Sequence, residues 1–168
     1  MSIISNTTVI SNFAAIGQMT LLYRIYGKIH ISGEVYEEIR KGLEEGYLFY
    51  ADIEKHIFPF SDSGWIHLIN MAGENEFRMF GRFPSKLGKG ESSCLSIASP
   101  RNWLFLTDDL DARKQAKLMN IRISGSLGCL ILAIEKNICT LEQGNIWLNQ
   151  MIEEGYRSPV YDLEQLLR

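Results

Sequence analysis

The sequence predicts an α/β fold, a three-layer α/β/α sandwich around a mainly parallel central sheet. Three observations lead there. Short apolar runs alternate with amphipathic helical patterns along the whole chain, which is how strand–helix–strand units read. One of these runs, Leu104-Phe105-Leu106, holds no polar residue, as befits a strand covered by helices on both faces. Two of the runs stop abruptly at polar groups, Asn6-Thr7-Thr8 and Thr107-Asp108-Asp109, and the carboxyl ends of strands in open α/β sheets are where ligands bind.

Ile3 and Ile4 open the chain as a short strand ending at Asn6. Val9, Ile10, Phe13, Ala14 and Ile16 recur at helical spacing up to Gly17, and a second short helix over Met19 to Tyr26 stops at Gly27. Ile29 and Ile31 predict the next strand. The helix over Ser32 to Leu43 sets Val35, Ile39 and Leu43 on one face, with Glu38 beside that apolar row. A helix about Leu48 to Ile57 is expected to end before Pro59, and Trp65 to Met71 alternates like a strand. Glu74 to Phe83 reads as a helix ended by Pro84. The Gly/Lys-rich loop Ser85 to Gly90 then leads into a helix with Glu91 in its first turn. After the run Leu104 to Leu106, a helix is expected from about Ala112. A short strand over Ile121 to Ile123 follows, then helices from Ser126 through Ile134 and over Leu141 to Ile152. Leu163, Leu166 and Leu167 predict a terminal helix packed back on the body.

A chain of 168 residues supports one core of ordinary size, so a single domain over 1–168 is expected. Hydrophobic content of 46% and charged content of 22% are globular values and exclude disordered or fibrous classes. No apolar run reaches the roughly 18 residues of a spanning helix, and no signal peptide precedes the first strand, so no membrane association and a cytoplasmic location are expected. Cys94, Cys129 and Cys139 are odd in number, form no Cys-x-x-Cys pair and read as core thiols. His30, His56 and His67 lack ligand spacing. The net charge of −3 argues against a generally basic coat, but Arg78 to Arg122 holds nine basic residues against four acids. A basic rim around an acidic centre suits an enzyme that holds a cation and a polyanion together, whereas the bland alternative is an ordinary mixed surface. Phe13, Tyr23, Tyr26, Phe77, Phe80 and Phe83 are more large side chains than short helices readily bury, which predicts a homodimer unless they lie in the core.

The acids also have a bland reading. An Asp after a strand caps the next helix, and a Glu in a first turn suits the helix dipole, with no further chemistry. Capping needs only one acid, however, and Asp108, Asp109 and Asp111 supply three.

Five segments in order, Ile4-Ser5-Asn6-Thr7-Thr8-Val9-Ile10, Val35-Tyr36-Glu37-Glu38-Ile39, Gly88-Lys89-Gly90-Glu91-Ser92, Leu106-Thr107-Asp108-Asp109-Leu110-Asp111-Ala112-Arg113 and Gly125-Ser126-Leu127-Gly128, resemble the PIN-domain family of metal-dependent ribonucleases. The likeness covers nearly the whole chain and is closest to a prokaryotic branch related to toxins of toxin–antitoxin pairs. It implies that acids from these segments converge at the carboxyl edge of the sheet, with Glu38, Glu91, Asp108 and Asp109 catalytic. It implies Mg²⁺ or Mn²⁺ held by Asn6, Glu91, Asp109 and Asp111, and RNA contacted by Thr7, Thr107, Lys89 and Arg113. An antitoxin protein is the implied partner. One departure stands out: the family's first acid is an Asp, and here the matching residue is the neutral Asn6. Asn6 offers a hard cation only a carbonyl oxygen. The resemblance therefore carries an alternative, a catalytically weakened module that binds RNA or a protein partner without cleavage.

Overall fold

The structure, a computed structural model, describes residues 1–167. Six strands form: β1 Ile3–Ser5, β2 Ile29–Ser32, β3 Ile57–Phe58, β4 Ile66–Ile69, β5 Leu104–Leu106 and β6 Ile123–Ser124. They make one sheet in the order β3-β4-β2-β1-β5-β6 with every pairing parallel. The helices are α1 Thr7–Ala15, α2 Met19–Tyr26, α3 Gly33–Glu44, α4 Phe49–Glu54, α5 Gly73–Phe80, α6 Lys89–Arg101, α7 Leu110–Leu118, α8 Ser126–Glu135 and α9 Leu141–Glu153, followed by a 3₁₀ turn at Leu163–Leu166. The three-layer α/β/α architecture is the expected one.

Every residue of β1 and β2 is buried, so helices cover both faces of the sheet there. Ile4, Ile29, Ile31, Ile66, Phe105 and Leu106 are packed between Val9, Ile10 and Phe13 of α1, Val35 and Ile39 of α3, Cys94, Leu95 and Ile97 of α6, and Cys129 and Leu130 of α8. Each such aliphatic side chain contributes about 1.5–3 kcal/mol when removed from water. No helix among the described residues is long and apolar enough to cross a membrane.

The differences from expectation are local. The helix expected to run to Ile57 stops at Glu54, and Ile57-Phe58 instead pairs beside β4 as the edge strand. A two-residue strand is too short to show a period of two, so its apolar pair read as the end of a helix. Helix α5 ends at Phe80, three residues before Phe83. Helix α7 begins at Leu110 because Asp109 caps it, and β6 lies at Ile123–Ser124 rather than over Ile121 to Ile123. The terminal helix is only the 3₁₀ turn, anchored by the buried Leu163. All three cysteines are free and buried, with Cys139 lying between α8 and α9. Of the six aromatic residues behind the homodimer expectation, Phe13 is in the core and Tyr26 and Phe83 pack against it, while Tyr23 and Phe77 remain 51% and 57% exposed.

Candidate active site

In the strand order, β2 lies on one side of β1 and β5 on the other, so the chain's direction of travel across the sheet reverses at the β1/β5 boundary. Ligand crevices open at such a boundary, outside the carboxyl ends of the strands. Ser5 and Leu106 are register partners across it, and the Asn6 backbone N–H donates to the Leu106 carbonyl at 3.2 Å. Asn6 and Thr107 therefore leave the sheet side by side.

Asn6 is fully buried and caps α1. Its Oδ1 accepts from the Thr8 backbone N–H at 3.2 Å and from Thr8 Oγ1 at 2.7 Å. The backbone donor fixes the amide's orientation, so Nδ2 points the other way and donates to Thr107 Oγ1 at 2.7 Å and to Glu91 Oε1 at 3.4 Å. Asn6 thus shows Glu91 a donor, and the carbonyl oxygen expected to face a cation is committed to the cap.

Glu38 on α3 and Glu91 on α6 meet over the turn that starts α6. A Cβ placed on Gly90 would lie 2.4 Å from Glu38 Oε1, and one on Gly88 would lie 2.5 Å from Glu91 Oε2. Glycine at these two positions lets both carboxylates close on the turn. Thr7 Oγ1 donates to Glu38 Oε2. Burial pushes the Glu91 carboxyl above its ordinary pKa. The hydrogen bond from its own backbone and the Asn6 amide oppose this, whereas the negative charges of Glu38 and Asp109 reinforce it. Glu38, Glu91 and Asp109 therefore share one electrostatic neighbourhood, and among the described residues none of them is in an ion pair. Asp109 also caps α7, its Oδ1 accepting from the Ala112 N–H at 2.8 Å.

Asp108 faces a different way. Its Oδ1 accepts from the Ser126 N–H at 2.8 Å, and its Oδ2 from Asn12 Nδ2 at 2.9 Å and from Ser126 Oγ. It ties the β5 exit to the start of α8, while its own N–H donates to Thr8 Oγ1 at 2.9 Å. Thr107 is buried, and its hydroxyl is shared by Asn6 and the Asp109 N–H at 3.1 Å, so it positions neighbours instead of facing solvent. Asp111 is half-exposed, 3.8 Å from Lys86, and lines an open groove with Thr8, Asn12, Asp108 and Asp109. Lys89 is exposed in another groove beside Glu34, Glu37 and Glu38. Arg113 donates to the Thr107 carbonyl at 2.8 Å.

The expected basic rim is not a ring around the acids. Arg101 pairs with Glu76, and Arg122 donates to the Asn102 carbonyl at the start of β5, at the opposite edge of the sheet. Sequence reasoning missed Asn12, which stands one helical turn after Thr8 on the same face of α1, a spacing that points to a shared neighbour. It also missed Tyr156 and Arg157, which line the Asp108–Asp111 groove from beyond α9 and carry no signal in the sequence.

The site's donors fit a hard divalent cation by chemistry: three carboxylates, one of them, Glu91, destabilised as a charge by burial and like charge, and none in an ion pair among the described residues. They do not form a finished cage, since among the described residues no group of three or more His, Cys, Asp or Glu is arranged to hold a metal ion.

No curated protein matches the chain. The family model DUF3368, described as a PIN domain, matches residues 2–168. A parallel α/β/α sheet, acids gathered at its reversal point and a family match over almost every residue agree: the chain belongs to the PIN-domain family.

Proposed function

We propose that this chain is a metal-dependent endoribonuclease, acting in the cytoplasm on RNA as the toxin of a toxin–antitoxin pair. PIN domains have nuclease-type functions and generally use divalent metal ions. The observation that carries the proposal is the approach of Glu38 and Glu91 at the turn that starts α6, with Asp109 near enough for its charge to act on Glu91 and none of the three in an ion pair among the described residues. Here they would hold Mg²⁺ or Mn²⁺, with Asp111 contributing through water. Such an ion supplies Lewis acidity toward a phosphodiester and makes a bound water more acidic. The chain's own residues orient that centre: Thr7 holds Glu38, Thr107 holds the Asp109 backbone, and Asp108 locks α8 against the edge. Lys89 and Arg113 offer positive charge to the phosphates on either side.

Purified protein with Mn²⁺ or Mg²⁺ is expected to cleave single-stranded RNA, and Asp109→Asn to lower that rate on the order of a hundredfold or more. Asn is as good a helix cap as Asp, so this variant keeps α7 while losing the charge. Equal cleavage by variant and parent would remove Asp109 from the site. A second reading, a module that binds RNA or a protein without cutting, is favoured by Asn6, whose amide already gives Glu91 a partner. Failure of the protein to bind any divalent cation at millimolar concentration selects that reading.

A further inference from the structure

A cavity of about 300 Å³ is lined by residues of the β5 exit, α7, β6, the start of α8 and the segment that follows α9. Its lining includes Ile123, Leu127, Tyr156 and Pro159 together with Arg113 and Arg157. Neither arginine is in an ion pair among the described residues. Asp108 lines the cavity too, but its two oxygens are already taken by Ser126 and Asn12. Asp108, Leu110, Tyr156 and Arg157 also line the open groove that leads past Asp109 and Asp111. The cavity is thus a side chamber of that groove.

A largely apolar chamber lined by an aromatic ring and by two guanidiniums outside any ion pair, of which Arg113 spends one N–H on the Thr107 carbonyl, matches the chemistry of a nucleotide: a flat apolar base with a doubly hydrogen-bonding phosphate. Its volume stands at the low end of the about 300–1,000 Å³ of small-molecule sites, which suits one nucleoside. We propose that this chamber takes a single unstacked nucleotide of a single-stranded RNA, the base lying against Tyr156 and Leu127 and the phosphate on Arg157 and Arg113. The inference rests on the ribonuclease reading for its ligand class. It goes further by making the substrate a strand whose base can be splayed out, because a paired base in a duplex is stacked and cannot enter.

Binding of a fluorescent single-stranded RNA is measured in EDTA, so that no cleavage intervenes, for the parent, Arg157→Ala and Leu127→Trp. Arg157 is exposed, so its removal leaves the fold intact. The indole of Leu127→Trp fills the chamber, and circular dichroism checks that variant's fold. We expect Arg157→Ala to weaken binding roughly tenfold, as for one lost charge-assisted contact. Leu127→Trp should weaken it at least as much, and duplex RNA of the same sequence should bind the parent more weakly than the single strand. Binding by Arg157→Ala equal to the parent's, or no preference for the single strand, overturns the proposal. The two readings fail separately: strand binding that needs Arg157 without any divalent-dependent cleavage keeps the chamber and removes the nuclease. Cleavage lost in Asp109→Asn but indifferent to Arg157 does the reverse.

Discussion

Asn6 shows how one atom's placement separates two functional readings. Its amide nitrogen bridges Thr107 and Glu91 while its oxygen caps α1. In Asn6→Asp the cap survives, because Asp caps as well as Asn. Both donors vanish, and a new charge joins Glu38, Glu91 and Asp109. Without divalent ions we expect a loss of about 1–3 kcal/mol, the cost of an unpaired buried partner, seen as a lower melting temperature. With Mn²⁺ the added carboxylate becomes a further ligand, so affinity and RNA cleavage should rise. Melts and calorimetry with and without Mn²⁺ check both, and an unchanged Mn²⁺ affinity would remove Asn6 from the cation's surroundings. The sequence placed Asn6 at a strand exit but said nothing of which end of its amide meets Glu91, because that depends on Thr107, a hundred residues away. Asp109 was easier: a cap and a site acid were both readable after Leu104-Phe105-Leu106, and the structure shows the cap, with the Asp109 charge acting on Glu91.

Helix α6 is the element on which the site is built. Its first turn carries Gly88, Gly90 and Glu91, and its last residue, Arg101, holds α5 through Glu76 at 2.7 Å. In Gly90→Ala the new Cβ meets the flexible end of Glu38, so the carboxylate moves and the backbone need not. Ala is also favoured over Gly inside a helix by about 1 kcal/mol. We therefore expect a melting temperature at or near the parent's together with weaker Mn²⁺ binding, whereas unchanged binding would show that Glu38 is not held at this turn. At the other end, burial alone would raise the Glu76 carboxyl, but the Arg101 guanidinium and the Ala72 N–H outweigh it and hold the pKa below the ordinary value. The unfolded chain then takes up protons before the folded one as pH falls. The bridge's stabilisation is complete above the unfolded carboxyl's pKa and is lost as pH drops through the lower folded one. Glu76→Gln should cost about 3 kcal/mol at neutral pH. It should also flatten the acid side of a melting-temperature profile, and a profile with the parent's acid slope would locate that slope elsewhere. The helix over 89–101 was legible from Gly88-Lys89-Gly90-Glu91, yet its bridge to α5 was not, since Glu76 and Arg101 share no local pattern.

For the molecule as a whole, periodicity showed how many major strands and helices there are but not their order across the sheet. Strand order is set by long-range packing of β1 between β2 and β5, and it brings Asn6, Glu91 and Asp109 to one crevice. The homodimer proposed from surplus aromatic residues keeps Tyr23 and Phe77 as its exposed grounds, and light scattering at micromolar concentration giving the mass of one chain would end it. The central claim is that acids from α3, α6 and the β5 exit form one cation site. Calorimetric titration of Mn²⁺ into the parent, Glu91→Gln and Asp109→Asn tests it most directly, because it needs neither the RNA target nor any partner. We expect saturable binding by the parent, weakened on the order of tenfold or more by each variant, the loss of roughly 1.4 kcal/mol or more per carboxylate. No Mn²⁺ binding by the parent at millimolar concentration, or equal binding by all three proteins, would contradict it.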